Sequence, residues 1–339
     1  MSVKRSIILG IESSCDDTSA AILVGHKIVS NCIANQKIHQ KYGGVVPELA
    51  SRAHQENIIP VVEEAISQAN IDIKEIDAIA CTRGPGLMGS LVVGVSFSKS
   101  LALALNVPII EVNHMKAHIL AHFIEEPETR PPEFPFICLT VSGGHTQLVK
   151  VDSPHKMEVI GTTIDDAAGE AFDKAAKMIG IDYPGGPKLD VFAQKGDPLK
   201  FKFAKPKVAD LNFSFSGLKT SILYNLRDWE KEDEAFIQKN FHDLCASIRH
   251  TIVDILMDKL EQASARTGIT EIAIAGGVSA NSELRRRLLK KKSKGWKVHI
   301  PRFEYCTDNA AMVAIAGKYA FDKNIFADQK IAANPRLPW

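Results

Sequence analysis

The order of elements written into this chain occurs twice, and that repeat limits the fold to two similar α/β lobes. β-rich apolar runs at 6–11, 18–24 and 27–34 read as three short strands. The polar turn Glu12-Ser13-Ser14-Cys15-Asp16-Asp17 and the pair Gly25-His26 separate them, which predicts an antiparallel meander. Helical periodicity follows over 47–70 through Leu49, Ala53, Ile58, Val62, Ala65 and Ile66. Then come a buried strand at 76–82, a break at Gly84-Pro85-Gly86, a small-residue helix to Asn106 and a strand at 109–112. The order restarts with strands at 136–142, 146–152 and 157–163 and a helix over 167–179. A helix at 234–267, a strand at 271–275, a helix at 281–292, a strand at 298–301 and a helix at 308–323 complete it. Each half places a Thr directly after its first polar turn, Thr18 and Thr146. The likeness is one of element order and not of sequence identity. It predicts a ligand crevice between the lobes, at strand ends. The Pro- and Glu-rich stretch 125–135 reads as a surface linker. The expected lobes are 1–113 and 114–323, with a C-terminal helix over about 324–339 packing back on the first.

A length of 339 residues suits about two domains. Forty-one Lys+Arg against 40 Asp+Glu leave a net charge of +1, so a nucleic acid would have to be met by a local basic patch. The most apolar stretch, 91–110, is interrupted by Ser96, Ser98, Lys99, Ser100 and Asn106, and the N-terminal apolar run stops at Glu12. Neither a membrane span nor a signal segment is expected. Six scattered cysteines without a C-x-x-C pair disfavour a disulfide framework or zinc ribbon and suit a reducing cytoplasm.

Four constellations carry chemistry. In His114-Met115-Lys116-Ala117-His118, the four-residue spacing puts two imidazoles on one helix face, where they could share a metal ion; His122 continues that face. The alternative is a polar stripe facing solvent. Met115 stands where a zinc protease of the H-E-x-x-H type carries its general base, which weakens that reading. A third ligand must come from elsewhere. Asp308, opening a helix, is a candidate, although N-capping explains it as well. Two His and one carboxylate leave open positions and suit Fe(II) or Zn.

Paired glycines at Gly143-Gly144, Gly185-Gly186 and Gly276-Gly277 let backbone amides approach an anionic ligand. None fits a Walker A loop or a dinucleotide fingerprint. Acidic residues gather at Asp165, Asp166, Asp173 and Asp190, and at Glu12, Asp16 and Asp17 in the first turn. Two basic runs cover 285–297 and 195–207, the second interleaved with Phe201 and Phe203. A solvated helix face explains the first, and the second has more the look of a phosphate-contacting loop.

Gly10-Ile11-Glu12-Ser13-Ser14-Cys15-Asp16-Asp17-Thr18, Arg83-Gly84-Pro85-Gly86, the His114 to His118 stretch, Ser142-Gly143-Gly144-His145-Thr146 and Phe213-Ser214-Phe215-Ser216-Gly217-Leu218-Lys219-Thr220 appear together and in order. So do Gly43-Gly44-Val45-Val46-Pro47-Glu48, Ala168-Gly169-Glu170-Ala171-Phe172-Asp173-Lys174, and the stretches 183–187, 276–281 and 306–309. Over nearly the whole chain this set resembles the universal tRNA threonylcarbamoyladenosine transferase family. The resemblance implies two ribonuclease-H-like lobes of the actin/sugar-kinase/Hsp70 (ASKHA) fold with an interlobe cleft. It implies transfer of threonylcarbamoyl from threonylcarbamoyl-AMP to N6 of adenosine 37 of tRNAs reading A-starting codons, with release of AMP. It implies a divalent metal, Fe(II) first and Zn as alternative, on His114, His118 and Asp308. The implied substrate contacts are Thr140, Val141, Ser142, Gly143, Gly144, Asp173, Gly186, Asp190 and Asn281. The implied partners are tRNA, a paralogous pseudo-enzyme and a small P-loop ATPase, in the cytoplasm and without a membrane. A catalytic acid or base is not identified; Glu12, Asp16 and Asp17 are candidates. The family carries Asp-Glu where this chain has Asp16-Asp17, which shortens the reach of the second carboxylate. A small-molecule kinase of the same fold, a metalloprotease and a binding-only scaffold are the rival readings.

Overall fold

The computed structural model describes residues 5–127 and 129–339. The chain divides into two compact units, the first running to Pro132 and including Pro301–Trp339, the second Glu133–Ile300.

In the first unit, β1 (Ile7–Glu12), β2 (Thr18–Val24) and β3 (Lys27–Ala34) form the meander, followed by α1 (Pro47–Ala69), β4 (Ala78–Gly84), α2 (Met88–Leu105), β5 (Ile109–Asn113) and α3 (His114–Leu120). The sheet order is β3-β2-β1-β4-β5, with β1 antiparallel to β2 and parallel to β4. β1 is buried at all six positions, as a central strand covered on both faces must be, so it reads as a continuous apolar run.

The second unit repeats the plan. β6 (Phe136–Val141), β7 (Thr146–Ser153) and β8 (Lys156–Thr162) form its meander. Then come α4 (Ala168–Met178), α5 (Gly185–Phe192), α6 (Ser216–Glu232), α7 (Phe236–Lys239), α8 (Phe241–Thr267), β9 (Glu271–Ala275), α9 (Ser282–Lys291) and β10 (Lys297–His299). Its order, β10-β9-β6-β7-β8, has the same antiparallel and parallel neighbours in the same places. The repeat of element order is therefore a repeat of topology. The helix expected over 234–267 is broken at Asn240, and α5 and α6 carry no expectation from periodicity.

α10 (Ala310–Asp322) returns the chain to the first unit, and this moves the expected boundary. Residues 114–132 and 301–323 do not belong with the second lobe. α10 lies on the first sheet where side chains are missing: a Cβ on Gly10 would stand 2.4 Å from the Ala310 carbonyl, and one on Gly317 2.4 Å from the Ala80 Cβ. Small residues on both surfaces permit that approach. The expected linker 125–135 does hold the crossing, but Glu126 is tied back to the first unit by Tyr305 and Arg302. A second crossing at Pro301 carries no sequence signal. Beyond Asn324 there is no helix. Asn334 N–H donates to the Arg83 carbonyl and Ala327 N–H to Ile109 at the edge strand β5. Pro335 and Pro338 suit this irregular path.

Among the described residues, α2 alone is long and apolar enough to cross a membrane by length and composition. It packs on α1 and β4 through Ser90, Leu91, Gly94, Val95, Ser98 and Ala102.

Candidate functional site

α3 begins where β5 ends. Asn113 caps it, its Oδ1 accepting from Met115 N–H at 2.9 Å and Lys116 N–H at 3.2 Å. This fixes His114 and His118 one turn apart, their rings 4.7 Å between centroids. Both are buried, His114 at 8% exposure and His118 at 2%, so the solvent-facing stripe does not form. Asp308 is not the cap of α10; Asn309 Oδ1 accepts from Met312 N–H. Asp308 Oδ1 instead lies 3.2 Å from His118 Nε2 and 3.4 Å from His114 Nε2. Burial alone would raise the Asp308 carboxyl, but the two imidazoles outweigh it and hold the group far below the usual carboxylate range. Burial would lower the His114 imidazole, and Asp308 and Glu12 reverse that and push it well above its ordinary value. One donor atom from each of the three residues lies within 4.8 Å of the others, a set able to hold a metal ion. Two imidazole nitrogens and one carboxylate oxygen suit Fe(II) or Zn. His118 Nδ1 is buried with no protein partner, so its Nε2 is the atom offered. Met115 is buried. His122 falls on the turn beyond α3, outside the group.

Glu12 supports this arrangement from behind. Its side chain is fully buried, and its Oε2 stands 3.2 Å from His114 Nδ1 and accepts from Thr82 Oγ1 at 2.6 Å. Oε1 accepts from Ser14 N–H at 2.5 Å. A carboxylate facing Nδ1 keeps a proton on that nitrogen, so that Nε2, on the Asp308 side, is the atom an ion would take on displacing its proton. Glu12 is thus a positioning carboxylate. Asp16 and Asp17 are not in the donor set; Asp17 accepts from Asn35 Nδ2 at 2.7 Å, and burial pushes its carboxyl up to about 6. Sequence reading missed Thr82, Ser14 and the fully buried His54, which braces the same turn through Thr18 Oγ1 and the Cys15 carbonyl. Thr82 and His54 are far along the chain from their partners, and no local pattern marks them; Ser14 sits two residues from Glu12.

In the second unit, β6 and β9 are parallel neighbours, with Thr140 opposite Ala275, so their C-terminal turns emerge side by side. A Cβ on Gly276, at φ +88°, would strike the Val141 carbonyl at 2.4 Å, so only glycine lets the turns close up. Thr140 and Val141 are buried ladder residues, whereas Gly143, Gly144 and Gly277 are open, with no atom near a built Cβ. Asp173 Oδ1 accepts from both Gly185 N–H and Gly186 N–H at 2.9 Å. Burial raises its carboxyl in spite of those donors. Asp190 is engaged by Arg249 and Ser282, and Asn281 caps α9. The expected ligand residues therefore cluster on one end of this sheet. Asp173, Asp190 and Asn281 spend much of their hydrogen-bonding on holding the backbone in place.

The basic runs are less cationic than their sequence. Lys200 pairs with Asp243, Lys205 with Asp254 and Asp258, Arg286 with Glu283, Arg287 with Asp254, and Lys291 with Glu261. Phe201 and Phe203 pack against Trp229 and do not stand free between the lysines.

The profile of the TsaD family, described as tRNA N6-adenosine threonylcarbamoyltransferase, matches residues 27–315. The chain belongs to this family. Among TsaD relatives, the tRNA N6-adenosine threonylcarbamoyltransferase of Christiangramia forsetii is 61% identical over 337 residues, 99% of each chain. That of Riemerella anatipestifer is 58% identical over 335 residues, 98% of each chain. TsaD membership makes this chain a tRNA-modifying transferase. Of solved structures, full-length HypF superposes with a TM-score of 0.60 at 16% identity, over 96% of this chain and 48% of HypF. Component A of the Acidaminococcus fermentans (R)-2-hydroxyglutaryl-CoA dehydratase gives 0.54 at 14% identity, over 94% and 98%. Those identities speak for fold alone, and the fold is ASKHA, with one mixed five-stranded sheet in each unit.

Proposed function

We propose that this chain transfers threonylcarbamoyl from threonylcarbamoyl-AMP to N6 of adenosine 37 in tRNAs reading A-starting codons, releasing AMP. The observation that carries the reading is the buried convergence of His114, His118 and Asp308, with Glu12 behind His114, in a chain of the TsaD family. The three residues would hold one divalent ion, Fe(II) or alternatively Zn, and Glu12 would keep His114 in the ligating tautomer. When bound, such an ion supplies Lewis acidity to an oxygen-rich acyl donor. In the second unit the open amides of Gly143, Gly144 and Gly277 suit the adenylate phosphate, and Asp173, Gly186, Asp190 and Asn281 shape the turns that receive the nucleoside. The carboxyl of Asp17, pushed up to about 6, is poised to accept a proton near neutral pH. The acceptor base has to be unstacked to be reached. The reading includes a pseudo-enzyme paralogue and a small P-loop ATPase as partners, and work in the cytoplasm.

Purified protein, synthetic threonylcarbamoyl-AMP and unmodified tRNA, with nucleosides read by mass spectrometry, test it. Threonylcarbamoyladenosine at position 37 only when metal is restored is the expected result. Modification elsewhere, or none after addition of the partners, would refute the reading.

A further inference from the structure

Arg249 sits in the first half of α8, a long helix whose buried face is mostly apolar, and is 8% exposed. A guanidinium is not taken into such a place without partners. Its Nη1 donates to the Asp190 carbonyl at 3.0 Å, to Asp190 Oδ1 at 2.9 Å and to Ser282 Oγ at 3.2 Å. Its Nη2 donates to the Ala193 carbonyl at 3.2 Å, while its Nε is buried with no partner. The planar fork thus collects the last turn of α5 and the first residue of α9. Asp190 completes the link, its Oδ2 accepting from Ser282 N–H at 2.9 Å and its Oδ1 from Ser282 Oγ at 2.9 Å. Ser282 directly follows Asn281, which ends the 276–281 turn and caps α9. At the other end of α5, Asp173 holds the amides of Gly185 and Gly186. So α5 is pinned at its start by Asp173 and at its end by Arg249, and Asp190 carries that restraint into the Gly276 turn.

We infer that Arg249 is a positioning residue for donor binding: it fixes Asp190 and, through Ser282, the 276–281 turn in the register that receives the adenylate. This rests on the reading that these turns take the nucleotide end of the donor. Arg249 touches no substrate in this account. A lysine would keep the charge but could not span Asp190, Ser282 and Ala193 together, because its donors do not form a fork.

Steady-state transfer kinetics on Arg249→Ala, Arg249→Lys and Ser282→Ala test it, each compared at equal folded fraction and with metal content measured. For Arg249→Ala the KM for threonylcarbamoyl-AMP should rise about tenfold or more, with Arg249→Lys recovering little of it and Ser282→Ala raising it about threefold. The kcat, the KM for tRNA and the bound metal should each stay within about twofold, since none depends on this clamp. A purely structural Arg249 would lower the melting temperature and leave the KM ratio unchanged, and that result overturns the inference. Asn281→Ala and Asp173→Asn serve as references. If they raise the donor KM and the Arg249 and Ser282 variants do not, the inference alone falls. If none of the five moves it, the assignment of these turns to the nucleotide falls, and the inference with it.

Discussion

The turn between β1 and β2 and the turn between β6 and β7 occupy the same place in the two copies of one topology, yet they are built for different tasks. Each is followed by a fully buried threonine that ties the strand to the helix after its meander. Thr18 Oγ1 lies 2.8 Å from His54 Nδ1 in α1, and Thr146 Oγ1 accepts from Ala168 N–H at the start of α4, also at 2.8 Å. The framework is shared down to a threonine tie, made to an imidazole in the first copy and to a backbone amide in the second. The turns themselves diverge. The first holds Glu12, Asp16 and Asp17 and backs a ring of ionisable groups. The second, Ser142-Gly143-Gly144-His145, has no carboxylate and leaves its glycines open. Within one repeated topology the two turns thus differ in chemistry, carboxylates in the first and open glycine backbone in the second.

The strongest way to break this comparison is at the donor group itself. His118→Ala or Asp308→Ala should abolish stoichiometric metal binding and lower transfer by at least about a hundredfold, with both units still folded. Full metal occupancy by elemental analysis in either variant would separate the first turn from any metal chemistry. Glu12→Gln should come next. An amide can present its N–H₂ to Nδ1 and so favour the wrong tautomer, and metal affinity, read by competition with a chromophoric chelator, should fall about 10- to 100-fold.

On the second unit, Asp173→Asn keeps one acceptor oxygen for Gly185 and Gly186 but loses the charge. Calorimetry should show adenylate binding about tenfold weaker with metal binding unchanged. Equal weakening of metal binding would mean that the division of labour between the two turns is drawn wrongly.

Two smaller effects sharpen the contrast. The folded-state carboxyl of Asp17, at about 6, lies above its ordinary value of 3.8. The stability tied to that shift is fully present below the ordinary value and is lost as pH rises through about 6. Asp17→Asn should therefore flatten part of the decline in urea midpoint between about pH 4 and pH 7. A parallel decline in wild type and variant would show Asp17 to be fully hydrated. Last, Thr146→Val leaves the Ala168 N–H buried without its acceptor and should cost about 1–3 kcal/mol, and Thr18→Val should cost about the same. A large difference between the two in denaturant titrations would show that the shared bond is not equivalent in the two copies.

Features a few residues long are legible in the sequence. The meanders, the small-residue helix α2 and the i, i+4 pair His114 and His118 follow from periodicity and spacing, because an element's own geometry sets which of its residues share a face. The three glycine turns were visible for the same reason. The ownership of α3 and α10 was not, because Gly10 and Gly317 reveal a helix seat only once the sheet exists. Nor was the partial pairing of the basic runs, since Lys205, in a loop, and Arg287, on α9, meet Asp254 on α8 from positions distant in sequence.

The sequence by itself determined the doubled α/β plan, the donor types and the family resemblance, all carried by patterns a few residues long. Only the tertiary structure decided that Asp308 leaves the capping of α10 to Asn309 and turns to the two imidazoles. It also made Glu12 a brace behind His114, and clamped Asp190 between Arg249 and Ser282. Those outcomes depend on which strands and helices become neighbours. A buried carboxylate takes whatever donors the fold brings within about 3 Å, and chain separation does not enter that choice.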